Sequence, residues 1–154
     1  FNAMYVCGDN ESCFSKIVDL KNDDLVLMML TKYECSVNST NKEGTALVLK
    51  AVENDTPQIS SLFIQRNCNL MVRTPYGKTL MEMCIEKTWY LHVTYILGNG
   101  CKELNDDEDY FHRMCHLSIM SNSTLIFDKL VKHYFASKLQ RAWKRHIRKR
   151  PVNQ

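Results

Sequence analysis

The sequence predicts an all-α fold: an α-solenoid of stacked helix-turn-helix repeats with short β-turn fingers, followed by an amphipathic C-terminal helix. The first observation is a period of 33 residues, which separates Cys35 from Cys68, Cys68 from Cys101, and Gly44 from Gly77. The second is that apolar residues recur at helical spacing twice within each period. A two-helix unit cannot bury its apolar stripe alone, so the pattern predicts units stacked around a continuous core.

The composition fits one folded domain of this kind. The chain has 154 residues, of which 45% are hydrophobic and 24% are charged, enough to bury a sizeable core. No apolar run approaches the roughly 20 residues of a membrane helix. The N-terminus lacks the basic flank and apolar stretch of a signal peptide. Residues 1–3, ahead of Met4, are set aside as a vector-derived remnant.

The cysteines indicate an intracellular protein of the cytoplasm or nucleus. Their number is seven, which is odd, and no two of them form a C-x-x-C pair. This pattern is typical of reduced thiols rather than of a disulfide framework. No cofactor is expected.

Four repeat units are expected within residues 4–133. Their approximate bounds are 11–43, 44–76, 77–109 and 110–133. Each unit has a turn, a short helix with small or apolar residues at its centre, and a second helix with an apolar stripe. In the second unit, Thr56-Pro57 starts the second helix, with Pro at the first helical position. The stripes of the second helices are expected to bury Ile59, Leu62, Phe63 and Ile64, then Val93, Ile96 and Leu97, then Leu125, Ile126, Leu130 and Val131.

These units resemble the ankyrin repeat, in which a turn is followed by two antiparallel helices. Gly44-Thr45-Ala46-Leu47 and Gly77-Lys78-Thr79-Leu80 match the family's G-x-T-P-L stretch. Cys35-Ser36-Val37-Asn38 and Asn99-Gly100-Cys101 match its N-G-A-D-V-N stretch. The outer units are degenerate, as terminal repeats are when one face meets water. In this, and in its use of Cys, Met and Asn, the chain resembles ankyrin proteins of large DNA viruses and protists.

The resemblance implies a non-enzymatic module that binds a protein partner through the concave face of fingers and first helices. Mapped onto this chain, the contacts are expected to be Arg73, Thr74, Tyr76, Met83, Glu86, Trp89, Tyr90, Ile119 and Met120. Aromatic, Met and Arg side chains are enriched at protein interfaces. Trp89 and Tyr90, at a turn between helices, are equally consistent with packing on a neighbouring unit. The fold does not specify which protein is bound.

Other chemistry has less support in the sequence. Gly77-Lys78-Thr79 lacks the upstream glycine of a nucleotide-binding P-loop, and the repeat by itself predicts its Gly and Thr. His112, Cys115 and His116, with a cysteine nearby, suggest zinc, but the paired ligand spacing is absent. The acids at 106–109 are expected to form a solvated finger tip or an acidic contact patch rather than a general acid and base. The chain is therefore predicted not to be an enzyme.

Residues 134–154 are predicted to form a basic helix and tail. Residues 1–128 carry a net charge of −6, whereas residues 129–154 carry +9, with nine Lys or Arg and no acid. One stripe of the predicted helix is apolar, because its large side chains recur at helical spacing. The stripe consists of Phe135, Leu139, Ala142, Trp143 and Ile147.

This helix also resembles the IQ motif that binds calmodulin. Leu139-Gln140 match the opening pair, Lys144 stands where Arg is usual, Arg145 replaces Gly, and Lys149 fills the last basic position. The resemblance implies that Trp143 anchors in the groove of a calmodulin-like EF-hand protein. The residues themselves leave three other roles open: a cap on the last repeat, docking on an anionic membrane, and binding to nucleic acid.

Overall fold

The computed structural model describes residues 6–7, 11–99 and 101–148, and in them the chain is predominantly helical. This confirms the all-α class. The elements are the two-residue strands β1 Val6–Cys7 and β2 Glu11–Ser12, and the helices α1 Cys13–Asp19, α2 Asp23–Thr31, α3 Leu47–Glu53, α4 Pro57–Gln65, α5 Leu80–Glu86, α6 Tyr90–Gly98, α7 Lys102–Asp106, α8 Glu108–Met120 and α9 Thr124–Arg148. The chain divides into two compact parts, Phe1–Cys84 and Ile85–Gln154.

The first part is built from two helical hairpins, α1–α2 and α3–α4. First helix packs on first helix and second on second, because α1 contacts α3 and α2 contacts α4. Phe14 and Phe63 meet inside with ring centroids 5.8 Å apart, and both are fully buried. At the N-terminal side, β1 pairs with β2 in antiparallel register, with Val6 opposite Ser12.

The turn between the two helices of a hairpin has the same geometry four times along the chain. Lys21, Asp55, Thr88 and Asn122 have φ values of 54°, 59°, 58° and 53°. The amide of each donates to the carbonyl three residues earlier, at 2.9–3.2 Å. These residues follow one another at intervals of 33 or 34 positions. The period in the sequence is therefore present in the backbone.

Two fingers also recur with that period. Isolated β-bridges join Thr40 to Ala46 and Arg73 to Thr79. Gly44 and Gly77 turn the fingers at φ values of 78° and 81°, where a side chain would be strained.

The expected third finger, with its tip at residues 106–109, is replaced by helix. The segment contains the short helix α7, and Asp107 caps α8 by accepting a hydrogen bond from the Tyr110 amide at 3.0 Å. Glu108 and Asp109 occupy the first turn of α8, where carboxylates interact favourably with the helix dipole. All four acids are exposed, as expected, but they do not form a loop: Asp106 ends α7 and the other three start α8.

In the second part, α9 packs on α6, α7 and α8. Tyr134 of α9 is buried and stacks on Phe111 of α8, with centroids 3.9 Å apart and planes 6° from parallel. Ile126 and Leu130 are buried on the same side of α9. Leu125, expected in that buried stripe, is largely exposed, because it lies on the opposite side of the helix.

The sequence predicted two elements where the structure has one helix. α9 runs for 25 residues through position 133, where the repeats were expected to end and the basic helix to begin. No helix in the described part of the chain is both long and apolar enough to cross a membrane.

Candidate functional site

The second finger presents the most exposed aromatic side chain among the residues that the structure describes. Tyr76 lies at its tip and is 97% exposed. Arg73 is exposed beside it, and its guanidinium donates to the Gly77 carbonyl at 3.1 Å, which holds the side chain along the finger. Thr74 is buried instead of facing solvent, because its hydroxyl accepts a hydrogen bond from the Lys78 amide at 3.2 Å inside the turn. The expectation that Thr74 faces a partner is therefore wrong.

The backbone amides of Gly77, Lys78 and Thr79 all donate hydrogen bonds within the finger or to the first turn of α5. The Gly77 amide donates to the Thr74 carbonyl at 2.8 Å, and the Lys78 amide donates to the Thr74 hydroxyl. The Thr79 amide donates to the Glu82 carboxylate at 2.6 Å, and the Glu82 amide donates back to the Thr79 hydroxyl at 3.2 Å. This reciprocal pair is a capping box at the start of α5. A phosphate loop needs such amides pointing at the ligand, whereas these close the finger.

Met83 is also buried, at 7% exposure, where the sequence predicted a solvent-facing position. The equivalent residue 33 positions earlier, Lys50, shows why. Its ammonium group lies 2.7 Å from Asp19 and donates to Ser15 at 3.3 Å, so this position on α3 faces α1 and not solvent. The expectation that Met83 contacts a partner is corrected accordingly.

A cleft of about 380 Å³ opens between the two fingers of the first part. The Asn69 amide donates to Asn38 at 2.7 Å and links one finger to the other. Sequence reasoning missed the cleft, because it arises from the spacing of two fingers rather than from a motif. Its lining residues are Val37, Asn38, Thr40, Gly44, Ala46, Val48, Asn69, Val72 and Arg73.

The remaining expected contacts belong to the second part. Glu86 is exposed at the end of α5, and Tyr90 is exposed at the start of α6. Trp89 is half-buried, and its ring centroid lies 4.8 Å from that of His92 in the helix that it precedes. Ile119 and Met120 are adjacent and exposed at the C-terminal end of α8.

The histidines and cysteines proposed for zinc do not share one environment. His112 is exposed, with Nε2 3.9 Å from Glu108, and His116 is exposed too. Cys115 is buried, and burial raises the pKa of its thiol. Among residues 11–99 and 101–148, no three His, Cys, Asp or Glu side chains are grouped to hold a metal ion.

Two cysteines of the repeat are buried more deeply. Burial raises the pKa of the Cys68 thiol to about 11 and that of Cys84 to about 12. A thiol is a nucleophile or a ligand only as the thiolate, so these side chains act as small apolar core residues.

The C-terminal half of α9 exposes the stripe that the sequence predicted to be apolar. Phe135, Leu139 and Trp143 are 55%, 72% and 62% exposed, and Ala142 is exposed with them. The cap interpretation required this stripe to pack on the last repeat, and in the structure a different stripe of α9 packs there. Gln140, Lys144 and Arg145 are exposed; the Ile147 side chain and Lys149 lie outside the described residues.

Acids of α7 and α8 meet the basic side chains of this half of α9. Arg141 is 2.7 Å from Asp106 and donates to the Asn105 carbonyl at 2.9 Å. Lys138 is 3.8 Å from Glu108, and its ammonium group lies 4.6 Å from the centre of the Tyr134 ring. Neither ion pair was predicted. The signal for them was the opposite charge of residues 106–109 and residues 129–154.

Comparison with known proteins gives a weak likeness to part of a larger protein. No family model matches the chain. Over 124 residues it is 22% identical to a probable serine/threonine-protein kinase of Dictyostelium discoideum. The match covers 75% of this chain and 13% of that protein, so the chain spans about an eighth of its relative's length.

Proposed function

We propose that this chain is an ankyrin-type repeat protein that binds another protein and catalyses no reaction. The observation that carries the proposal is the recurrence of one backbone pattern every 33 residues. Two fingers repeat it with bridges at Thr40–Ala46 and Arg73–Thr79, and four hairpin turns repeat it with a left-handed residue. Repeats of this kind use their fingers and exposed helix ends as a binding surface.

The second finger is the centre of the proposed contact. Tyr76 offers a whole aromatic ring to a partner, and Tyr and Arg are the residue types that dominate binding energy at interfaces. The cleft between the fingers lies next to Arg73 and has half-buried valines, which suit an apolar side chain of the partner. In the second part of the chain, taken by itself, the exposed Glu86, Tyr90, Ile119 and Met120 stay proposed partner contacts. Thr74 and Met83 are buried and are left out of the proposal.

A non-enzymatic role is supported because the groups that suggested chemistry make hydrogen bonds and ion pairs within the fold. The amides of Gly77-Lys78-Thr79 close a finger. Asp107 caps α8, and Asp106 and Glu108 pair with cations of α9. An intracellular location is supported by buried thiols such as Cys68 and Cys84, which suit a reducing compartment.

The experiment compares capture by matched surface variants. The purified 154-residue chain is immobilised, and proteins bound from a eukaryotic cell lysate are quantified by mass spectrometry. The test variants are Tyr76→Ala and Arg73→Ala. The control is Leu91→Ala, which removes a side chain of similar exposure, 78%, from the second helix of a hairpin.

We expect at least one captured protein to be reduced about five-fold or more by Tyr76→Ala and to be unaffected by Leu91→Ala. That ratio corresponds to about 1 kcal/mol, the lower limit for a residue that matters at an interface. The affinity of that protein is then measured by calorimetry with each variant. A set of bound proteins that neither finger variant changes would refute the finger as the binding site.

A further inference from the structure

The C-terminal half of α9 carries an outward apolar face that the repeat proposal does not use. Phe135, Leu139 and Trp143 follow one another four residues apart and are all more than half exposed. Leu130, nine residues before Leu139, is fully buried, and nine residues make two and a half helical turns. The face of Leu139 therefore points away from the side that packs on the second part of the chain.

At residues 138–141, the opposite side of α9 already contacts α7 and α8. Arg141 reaches Asp106 and the Asn105 carbonyl, and Lys138 reaches Glu108. A protein groove that encloses the helix would have to break these contacts. A flat surface meets the exposed face without disturbing them.

The positive charge of residues 129–154 limits which kinds of partner surface can bind the exposed face. Residues 129–154 contain nine Lys or Arg and no acid, so a second copy of this helix would be repelled. Nucleic acid would answer the charge but would leave Phe135, Leu139 and Trp143 without an apolar environment. An anionic membrane answers both, because lipid headgroups attract the cations and the acyl boundary accepts the apolar face.

We propose that the exposed face of α9 docks on an anionic lipid surface. Phe135, Leu139 and Trp143 enter the boundary between headgroups and acyl chains. Lys144 and Arg145 lie about 140° and 120° around the helix from the centre of this face, and their long side chains bend back to reach lipid phosphates. The helix lies in the plane of the membrane surface and does not cross it. This site is separate from the proposed finger contact, and either proposal can fail without the other.

The experiment uses the full chain and two kinds of vesicle. One contains phosphatidylcholine alone, and the other contains about a third phosphatidylserine. Binding is measured by co-sedimentation, and the environment of Trp143 by tryptophan fluorescence. We expect at least ten-fold stronger binding to the anionic vesicles, with a blue shift of emission that disappears in Trp143→Phe while binding persists.

Three further variants and one matched control test the two components of the proposed contact. Leu139→Asp removes apolar burial and should weaken binding about ten-fold or more. Leu91→Asp, an exposed leucine on α6, is the matched control and should bind like the original chain. Lys144→Gln and Arg145→Gln should each weaken binding about five-fold, as expected for one cation near an anionic surface.

Three results would overturn the proposal. The first is sedimentation with anionic vesicles without any change in Trp143 emission, which would indicate attraction by charge alone. The second is equal loss of binding in Leu139→Asp and Leu91→Asp. The third is no binding to either vesicle while single-stranded RNA or calmodulin, used as parallel probes, shifts Trp143 emission; that outcome would assign the face to another kind of partner.

Discussion

At the scale of single residues, a half-buried histidine links the stability of this chain to pH. His133 lies on α9, and its Nε2 is buried without a hydrogen-bond partner among the described residues. Burial lowers the pKa of His133 below its ordinary value of 6.5, and the nearby Lys129 lowers it further. The folded state therefore prefers the neutral ring, and protonation favours unfolding.

We predict that this contribution is present above pH 6.5 and is lost as the pH falls from 6.5 through the lower folded-state pKa. The sign follows because the unfolded chain binds the proton first. Urea midpoints of the original chain and of His133→Gln should converge or cross as the pH falls from 7.5 to 5. Parallel pH profiles for the two proteins would show that His133 has no such effect.

The solvent exposure expected for single residues is correct where it follows from the repeat. It is wrong where neighbouring segments contact one another. Tyr76 follows a turn proline in a finger, and the structure exposes it. Met83 was expected at the surface because it lies off the apolar stripe of α5. The equivalent Lys50 on α3 faces α1, a contact between helices that no single-helix pattern records. Thr74 was misjudged because its hydroxyl turns back to its own finger.

At the scale of elements, the capping box at the start of α5 is a local device that stabilises one repeat more than its neighbour. Thr79 and Glu82 exchange two hydrogen bonds there. The equivalent position 33 residues earlier is Ala46, which caps α3 without any side-chain hydrogen bond. The two repeats therefore start their first helices with different strength.

We predict that Thr79→Ala lowers the free energy of unfolding by about 0.5–2 kcal/mol, as is usual for loss of an N-cap side chain. Thr79→Ser keeps the hydroxyl and should cost much less. Chemical denaturation monitored by circular dichroism gives both values. Equal losses in the two variants would mean that the methyl group of Thr79, rather than its hydroxyl, is what matters.

Helix existence was predictable from apolar spacing, whereas helix ends were predictable only where a turn signal was present. Gly44, Gly77 and Thr56-Pro57 marked real boundaries. No Gly or Pro stands near position 133, and Tyr134 continues the i, i+4 series of Ile126 and Leu130. That continuation was a readable sign that α9 does not stop. The helix α7 was missed because a dense acidic run was taken for a loop.

At the scale of the whole molecule, a few large side chains carry much of the stability. Globular domains are stable by only about 5–15 kcal/mol, because large opposing terms nearly cancel. Phe63 is fully buried at the meeting of two hairpins, where it contacts Phe14. Losing such a ring removes apolar burial and leaves a cavity.

We predict that Phe63→Ala lowers the free energy of unfolding by about 3–5 kcal/mol. Tyr76→Ala, at an exposed finger tip, should change it by no more than about 0.5 kcal/mol. Both are measured by urea denaturation. A large loss in Tyr76→Ala would contradict its exposure and would also disqualify that variant as a probe of binding.

Because α9 is one continuous helix, the exposed face of its C-terminal half has a fixed direction. The helix is about 37 Å long at 1.5 Å per residue, and successive side chains turn by about 100°. Tyr134 is clamped against Phe111, and Trp143 follows nine residues later, half a turn out of phase. The direction of the Trp143 side chain is therefore set by the number of residues that separate it from Tyr134. A single residue inserted between Tyr134 and Trp143 would rotate the exposed face around the helix axis without altering any contact of the core.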